Sequence, residues 1–340
     1  MSRKSRFKKL LRQERESENP EETSPAEEHK VIHEHKEEHA EVKGKGLKYI
    51  YDKKYKALMI IPFLLLLFAI ISIGVQYATT GDFINRAVSL KGGITLTVPS
   101  ENVIDLIELK QSLIDEFIDN DFSVRSLTRS GRFVGFTIDS DIDLTDNTAT
   151  QELINFVSEK TDIELIEGGY SIEGTGAALG SSFFKETLIA LLIAFVFMGI
   201  VVFLYFRVPI PSLAVILAAF SDIIITLAIV NLIGMKISTA GIAAFLMLIG
   251  YSVDTDILLS TRVLKSKEGT VLDRVYSAMK TGLTMNITTM IAIITALALA
   301  ESEVIKQIMT ILLIGLFVDI INTWIQNTGI LRWYLEKKNV

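Results

Sequence analysis

Six stretches of the chain are long, predominantly apolar and nearly free of charge: residues 57–77, 187–205, 211–232, 239–261, 283–300 and 305–330. A helix crossing a bilayer needs about 20 such residues, so the pattern predicts six transmembrane helices. The third, fourth and sixth stretches carry internal Asp or Asn, which weakens their hydropathy and raises the interest of those side chains.

Between the first two stretches lies a water-facing insertion, residues 78–182, where the periodicity changes. Residues 88–98 alternate Leu90, Ile94, Leu96 and Val98 around a glycine pair, predicting a strand with a bend or bulge. Asn102 is placed to cap a helix through residue 120, with Ile104, Ile107, Ile114, Phe117 and Ile118 as its apolar stripe. Residues 122–127 and 132–138 read as a hairpin turning near Ser130-Gly131. Asp146 or Asn147 caps a second helix through residue 160, and residues 163–172 form a last strand. The fold class expected is a membrane α-helical protein of six spans, with an α+β domain of order βαββαβ between helices 1 and 2. That order is the ferredoxin-like arrangement, which hosts many functions and decides none.

Composition agrees with the spans: 49% of residues are apolar and the mean hydropathy is +0.40. Lys and Arg orient them. They crowd before the first span, at Arg207, in the connection 262–280 and after residue 330, all on one side if six spans are present. Both termini are therefore expected in the cytoplasm, in a cytoplasmic membrane, with the insertion outside. The first span lies too far from the N-terminus, and is too long, for a cleaved signal peptide, so it reads as a retained anchor. Residues 1–46 are polar, rich in Glu and Lys, and read as a disordered cytoplasmic tail whose basic start can touch anionic lipid. The tail holds all four histidines, at 29, 33, 35 and 39, without a spacing that fixes metal geometry. The insertion carries seven basic against eighteen acidic side chains, a net charge of −11, which makes a solvated surface and favours cationic clients.

Cysteine is absent, which excludes disulfides, thiolate metal sites and cysteine nucleophiles. No phosphate loop, nucleotide fingerprint, metal-ligand spacing or serine–histidine–acid set appears. No enzyme, cofactor, metal or nucleic-acid partner is expected.

The chemistry lies in acids within the spans. Even on lenient insertion scales a charge at a helix centre costs about 2.5–3.5 kcal/mol. Asp222 sits near the middle of the third span, Asp254 and Asp256 in the cytoplasmic half of the fourth, and Asp319 and Asn322 deep in the sixth. Lys280 stands at the cytoplasmic entrance to the fifth, which carries Thr284, Asn286, Thr288 and Thr289. These residues are candidates for binding and releasing a proton or sodium ion. A structural polar seam between helices is the alternative. Asp254 leads; Asp256, two residues on, points to a different face. Gly250-Tyr251 is read as allowing close packing beside the polar cluster.

Three motifs carry a family resemblance. Ser221-Asp222-Ile223-Ile224-Ile225-Thr226, then Gly250-Tyr251-Ser252-Val253-Asp254-Thr255-Asp256, then Thr261-Arg262 resemble the SecF subunit of the SecDF protein-translocation complex, in its archaeal form. Leu90-Lys91-Gly92-Gly93 is similar to the family's motif on the first outer strand. The resemblance spans about residues 50–335. It departs from the bacterial pattern at three places. Asp254-Thr255 stands where bacterial SecF has Asn-Asp, so Asp254 falls where the partner subunit SecD has its intramembrane aspartate. Thr281, beside Lys280, replaces an arginine, and Ser221 replaces a histidine.

The resemblance implies a SecD-like partner completing a twelve-helix unit of the resistance–nodulation–division superfamily. That unit stands beside the Sec channel, uses an ion gradient and acts on exported polypeptide. It also implies that Lys91, Gly92 and Gly93 form a bend at a hinge or client surface; a plain β-bulge is the alternative. Two competing functions are an exporter of lipid or hydrophobic small molecules from the same superfamily and a non-coupled scaffold of the translocon.

Overall fold

The computed structural model describes residues 47–338 apart from 119, 130, 131, 144, 167, 267, 268 and 301. The expected tail 1–46 with its histidines, and the hairpin turn at Ser130-Gly131, lie outside the described residues. The chain divides into two compact units, residues 1–53 and 54–340. Of the first, one short helix is described, α1 (Leu47–Lys53).

Among its described residues the second unit contains six helices long and apolar enough to cross a membrane. The first is a turn, α2 (Tyr55–Leu58), leading into α3 (Ile60–Thr80). After the insertion come α7 (Ala177–Phe206), α8 (Pro209–Leu232), α9 (Thr239–Lys265) and α10 (Val271–Leu299). The last runs from α11 (Glu303–Ile321) through a π-helical segment, Asn322–Asn327, into α12 (Thr328–Lys337). Local chemistry sets their ends. Gly81 closes α3 in the left-handed region at φ 76°, where glycine carries no Cβ penalty. Pro209 opens α8 at the first turn, where its missing N–H costs nothing. Ser238 caps α9, and Thr270 with Asp273 forms a reciprocal capping box on α10. That box starts α10 nine residues before residue 280, so the expected connection 262–280 is mostly helix and only residues 266–270 link α9 to α10.

The bundle is layered by burial. α8 and α9 bury 61% and 56% of their apolar windows, whereas α7 buries 6% and the first span 17%. α8, α9 and the π segment therefore form the centre, and α3 and α7 present their Leu, Ile and Phe outward, as a lipid-facing surface requires.

The insertion consists of α4 (Val88–Lys91), β1 (Gly93–Pro99), α5 (Leu106–Glu116), β2 (Phe122–Arg129), β3 (Arg132–Ser140), α6 (Asn147–Thr161) and β4 (Ser171–Thr175). The sheet is antiparallel with order β2-β3-β1-β4. Ile94, Leu96 and Val98 alternate onto its inner face, against Phe122, Phe136, Ile138, Leu109, Leu113, Leu153 and Val157. Asp146 caps α6 by accepting from Thr148 N and Ala149 N.

Three expectations need correction. The stretch 88–98 is not one strand: residues 88–91 make a helical turn that buries Leu90, and pairing starts at Gly93. Gly92 and Gly93, at φ 92° and 129°, turn the chain between them. The cap of α5 is Asp105, not Asn102, with its carboxylate accepting from Ile107 N and Glu108 N. The buried stripe is Leu109 and Leu113, and Ile107 and Ile118 are 84% and 85% exposed. Residues 163–166 and 168–170 are irregular; Ile163, Leu165 and Tyr170 fill the edge of the core without strand pairing, and β4 begins at Ser171.

The connection between α8 and α9 seats the insertion. Ala87 N donates to Ile237 O at 2.9 Å, and Ile237 N donates to Asn85 O at 2.6 Å. Asn231 Nδ2 donates to Phe83 O at 3.0 Å, and Lys236 Nζ pairs with Asp121 at 3.0 Å. On the other side, Gly180 at the start of α7 leaves space for Gly92, since a Cβ on Gly180 would lie 2.8 Å from Gly92 N.

A Cβ on Gly93 would lie 2.1 Å from Ser140 O at a φ that L residues avoid, whereas Gly176 has no atom within 4 Å. Gly93→Ala is expected to destabilise the protein by about 1–3 kcal/mol, and Gly176→Ala to leave it unchanged. Thermal unfolding of the purified full chain checks both, the first losing several degrees.

Candidate functional site

Three aspartates from three helices meet inside the bundle. Asp222 of α8, Asp256 of α9 and Asp319 of α11 are each 0% exposed. The π-helical segment reaches all three, Asn322 bonding Asp222 and Thr323 lying between Asp256 and Asp319. Among the described residues no lysine or arginine pairs with any of them, nor do they form a group of carboxylates fit to hold a metal.

Neutral donors take the place of cations. Asp222 accepts from Asn322 Nδ2 at 2.7 Å on Oδ1 and from Ser252 Oγ at 2.5 Å on Oδ2. Asp319 accepts from Asn286 Nδ2 of α10 at 2.9 Å on Oδ2. Asp256 Oδ1 accepts from Asn327 Nδ2 at 2.7 Å. Thr323 Oγ1 lies 2.9 Å from Asp256 Oδ1 and 3.0 Å from Asp319 Oδ1. Gln326 Nε2 donates to Ser221 Oγ at 3.2 Å. Such charge-assisted bonds exceed neutral ones in strength, and an unmade bond at this depth costs the full desolvation of the group.

The π segment explains why one stretch supplies so many of these donors. Asn322, Thr323, Gln326 and Asn327 are all 0% exposed. In a π-helical turn the hydrogen bonds step to i+5, so the wider turn brings residues i, i+1, i+4 and i+5 to one side. Gly282 of α10 makes room for Trp324 of the same segment; a Cβ there would lie 2.4 Å from the indole.

The other sequence candidates fall elsewhere. Asp254 is exposed on the outward face of α9, together with Gly250 and Tyr251. The leading sequence candidate is thus not in the buried cluster, because two residues along a helix turn it about 200° from Asp256. The Gly250-Tyr251 pair does not pack beside the acids either; nothing lies within 4 Å of a Cβ on Gly250. Lys280 is exposed and pairs with no carboxylate among the described residues. Lys91 lies in the insertion, 3.3 Å from Asp141. Burial pushes the Asp141 carboxyl up, but the Asp121 N–H, the Asn120 amide and the Lys91 ammonium outweigh it and hold it below the usual range. Ser252, Thr323, Gln326 and Asn327 were missed by sequence reasoning. The signal available was the run of amides and hydroxyls, Asn322-Thr323 then Gln326-Asn327, in an otherwise apolar span.

Fold and site together define a polytopic helical membrane protein with one inserted α/β unit and a polar core of acids and amides. Residues 158–337 match the family described as "Protein export membrane protein SecD/SecF, C-terminal". The SecF protein-export membrane protein of Pyrococcus furiosus is 38% identical over 295 residues, covering 86% of this chain and 95% of that one. The SecF of Methanocaldococcus jannaschii is 39% identical over 292 residues, covering 84% and 97%. Among solved structures, SecDF of Thermus thermophilus, a translocon-associated membrane protein, matches with a TM-score of 0.62 at 21% identity. That match covers 83% of this chain but 38% of SecDF, so the chain corresponds in fold to part of that longer protein. The chain belongs to the SecF family of protein-export membrane proteins.

Asn322→Leu leaves Asp222 Oδ1 without its amide donor and is expected to cost about 1–3 kcal/mol. Thr226→Val removes a buried hydroxyl that has no hydrogen-bond partner among the described residues and is expected to be neutral. Comparing the two melting midpoints in detergent checks that the donors, not the apolar packing alone, hold the core.

Proposed function

We propose that this chain is the SecF-type accessory subunit of a Sec translocon. It pairs with a SecD-like subunit in the cytoplasmic membrane and draws on a proton or sodium gradient to promote protein export. The observation that supports the ion coupling is the buried triad Asp222, Asp256 and Asp319, which is bonded by amides and hydroxyls and, among the described residues, by no lysine or arginine. Among the described residues no lysine or arginine pairs with these acids, so a charge there responds to an ion that reaches it. Moving one charge through 100 mV supplies about 2.3 kcal/mol, enough to bias a helix rearrangement.

The basic residues at Arg207, Arg262, Lys265 and beyond Arg332 support cytoplasmic termini. The insertion then stands on the outer side as a ferredoxin-like domain, where exported polypeptide emerges. Asp254 supports a partner subunit. An aspartate exposed on the membrane-facing surface of α9 is costly in lipid, and a neighbouring subunit removes that cost by covering it. The stripe Ala243, Met247, Gly250 and Asp254, all exposed and spaced along one face, fits such a subunit.

A non-coupled scaffold is the second reading. What favours it is that five of the six carboxylate oxygens already have donors from this chain, as expected of a structural seam.

Secretion of a reporter in cells whose only copy is a variant separates the two. Asp256→Asn is expected to accumulate, keep its partner and lower export at least about tenfold, the factor equivalent to ~1.4 kcal/mol. Asp254→Leu is expected to reduce co-purification of the partner. Normal export with Asp256→Asn favours the scaffold.

A further inference from the structure

Where α9 ends and α10 begins, a cavity of about 310 Å³ is lined by Arg262, Ser266, Gly269, Asp273, Arg274 and Ser277. It shares no residue with the acid cluster. Among the described residues, its two arginines engage neutral oxygens. Arg262 Nη1 donates to Ser277 O at 3.1 Å and to Ser277 Oγ at 2.6 Å. Arg274 Nη1 donates to Val263 O at 3.0 Å, and its Nη2 to Gly269 O at 3.4 Å. Neither pairs with a carboxylate among those residues. A guanidinium has five N–H donors, so each arginine keeps donors in reserve. Asp273 is the acid of the cavity, and its Oδ2 already accepts from Thr270 N at 2.9 Å and Thr270 Oγ1 at 2.7 Å. The lining is therefore net positive. Planar guanidinium forks match the oxygens of a phosphate, and a cavity of this size lies at the small end of ligand pockets.

The neighbouring side chains set its depth in the bilayer. Thr261, adjacent to Arg262, has its Oγ1 3.3 Å from Tyr205 Oη, and Lys265 Nζ lies 3.9 Å from the centre of the Tyr205 ring. Tyr205 is exposed at the end of α7, beside the exposed Phe203 and Leu204. Trp333, near the end of the last span, is also exposed, with Lys337 Nζ 4.1 Å from its ring centre. Amphipathic rings at the ends of spans mark the headgroup level. Basic pockets between helices at that level hold anionic headgroups.

We propose that this cavity binds the phosphodiester of an anionic membrane lipid, held by Arg262 and Arg274 with Ser266 and Ser277 beside them. Free phosphate shares that chemistry; the depth of the cavity favours the lipid. The bound headgroup ties the end of α9 to the start of α10, the two helices that supply Asp256 and Asn286. The site does not depend on the ion coupling proposed above.

Native mass spectrometry of the purified full chain tests it. The chain is titrated in neutral detergent with phosphatidylglycerol, phosphatidylcholine or inorganic phosphate. The wild type is expected to hold its tightest phosphatidylglycerol at least about tenfold more strongly than phosphatidylcholine. Arg262→Gln and Ser266→Asp are each expected to lower that affinity at least about tenfold. Lys185→Gln, which removes an exposed charge from α7 at the far end from Tyr205, is expected to leave it unchanged. Ser266→Asp adds a carboxylate beside both guanidiniums and keeps their bonds to α9 and α10, so it decides the matter if Arg262→Gln fails to fold. Equal affinity for the two lipids overturns the inference. So does phosphatidylglycerol binding that Ser266→Asp leaves unchanged. Inorganic phosphate that displaces the lipid at equal concentration also overturns it, and assigns the cavity to a soluble phosphate.

Discussion

Burying three carboxyl groups within an apolar bundle, none paired with a lysine or arginine among the described residues, is the constraint around which the rest of this protein is arranged. Each acid needs donors at a depth where water supplies none. The chain meets that demand with Asn286 from α10, Ser252 from α9 and a π-helical segment in the last span that turns Asn322, Thr323 and Asn327 to one side. The packing follows from this. α8, α9 and the π segment are drawn to the centre, Gly282 leaves space for the Trp324 ring, and α3 and α7 are left to face outward.

The same helices reach the inserted domain. The connection between α8 and α9 bonds through Ile237 to the backbone of residues 85–87, and Asn231 and Lys236 add side-chain links. On the proposed reading, a change of charge within the buried triad alters how α9 packs on α11. The connection at the far end of α9 carries that change to the domain. Gly92 and Gly180, in close contact, form the opposite attachment, where α4 meets the start of α7.

Much of this was legible in the sequence, and the limits have physical causes. Runs of about 20 apolar residues announce spans whatever surrounds them, and capping residues such as Asp146 announce a helix start. The face of α5 was not legible because apolar residues occur on both sides of it; only the sheet decides that Leu109 and Leu113 go inward while Ile107 stays out. The strand expected over residues 88–98 failed at Gly92 and Gly93, whose positive φ values depend on contacts with Ala177 and Ser140 distant in sequence. In the membrane, apolar residues point both to lipid and to neighbouring helices. Periodicity therefore could not say which of Asp254 and Asp256 faces inward. The π segment adds no signal to hydropathy, and of its polar residues only Asn322 stands out in the sequence.

Ion flux tests the central claim most directly. The chain is reconstituted with its SecD-like partner in liposomes, and internal pH is followed after a potassium diffusion potential is imposed. The account predicts proton movement in the wild type that Asp256→Asn and Asp319→Asn each abolish while the complex stays intact. Equal flux in the wild type and both variants would contradict it.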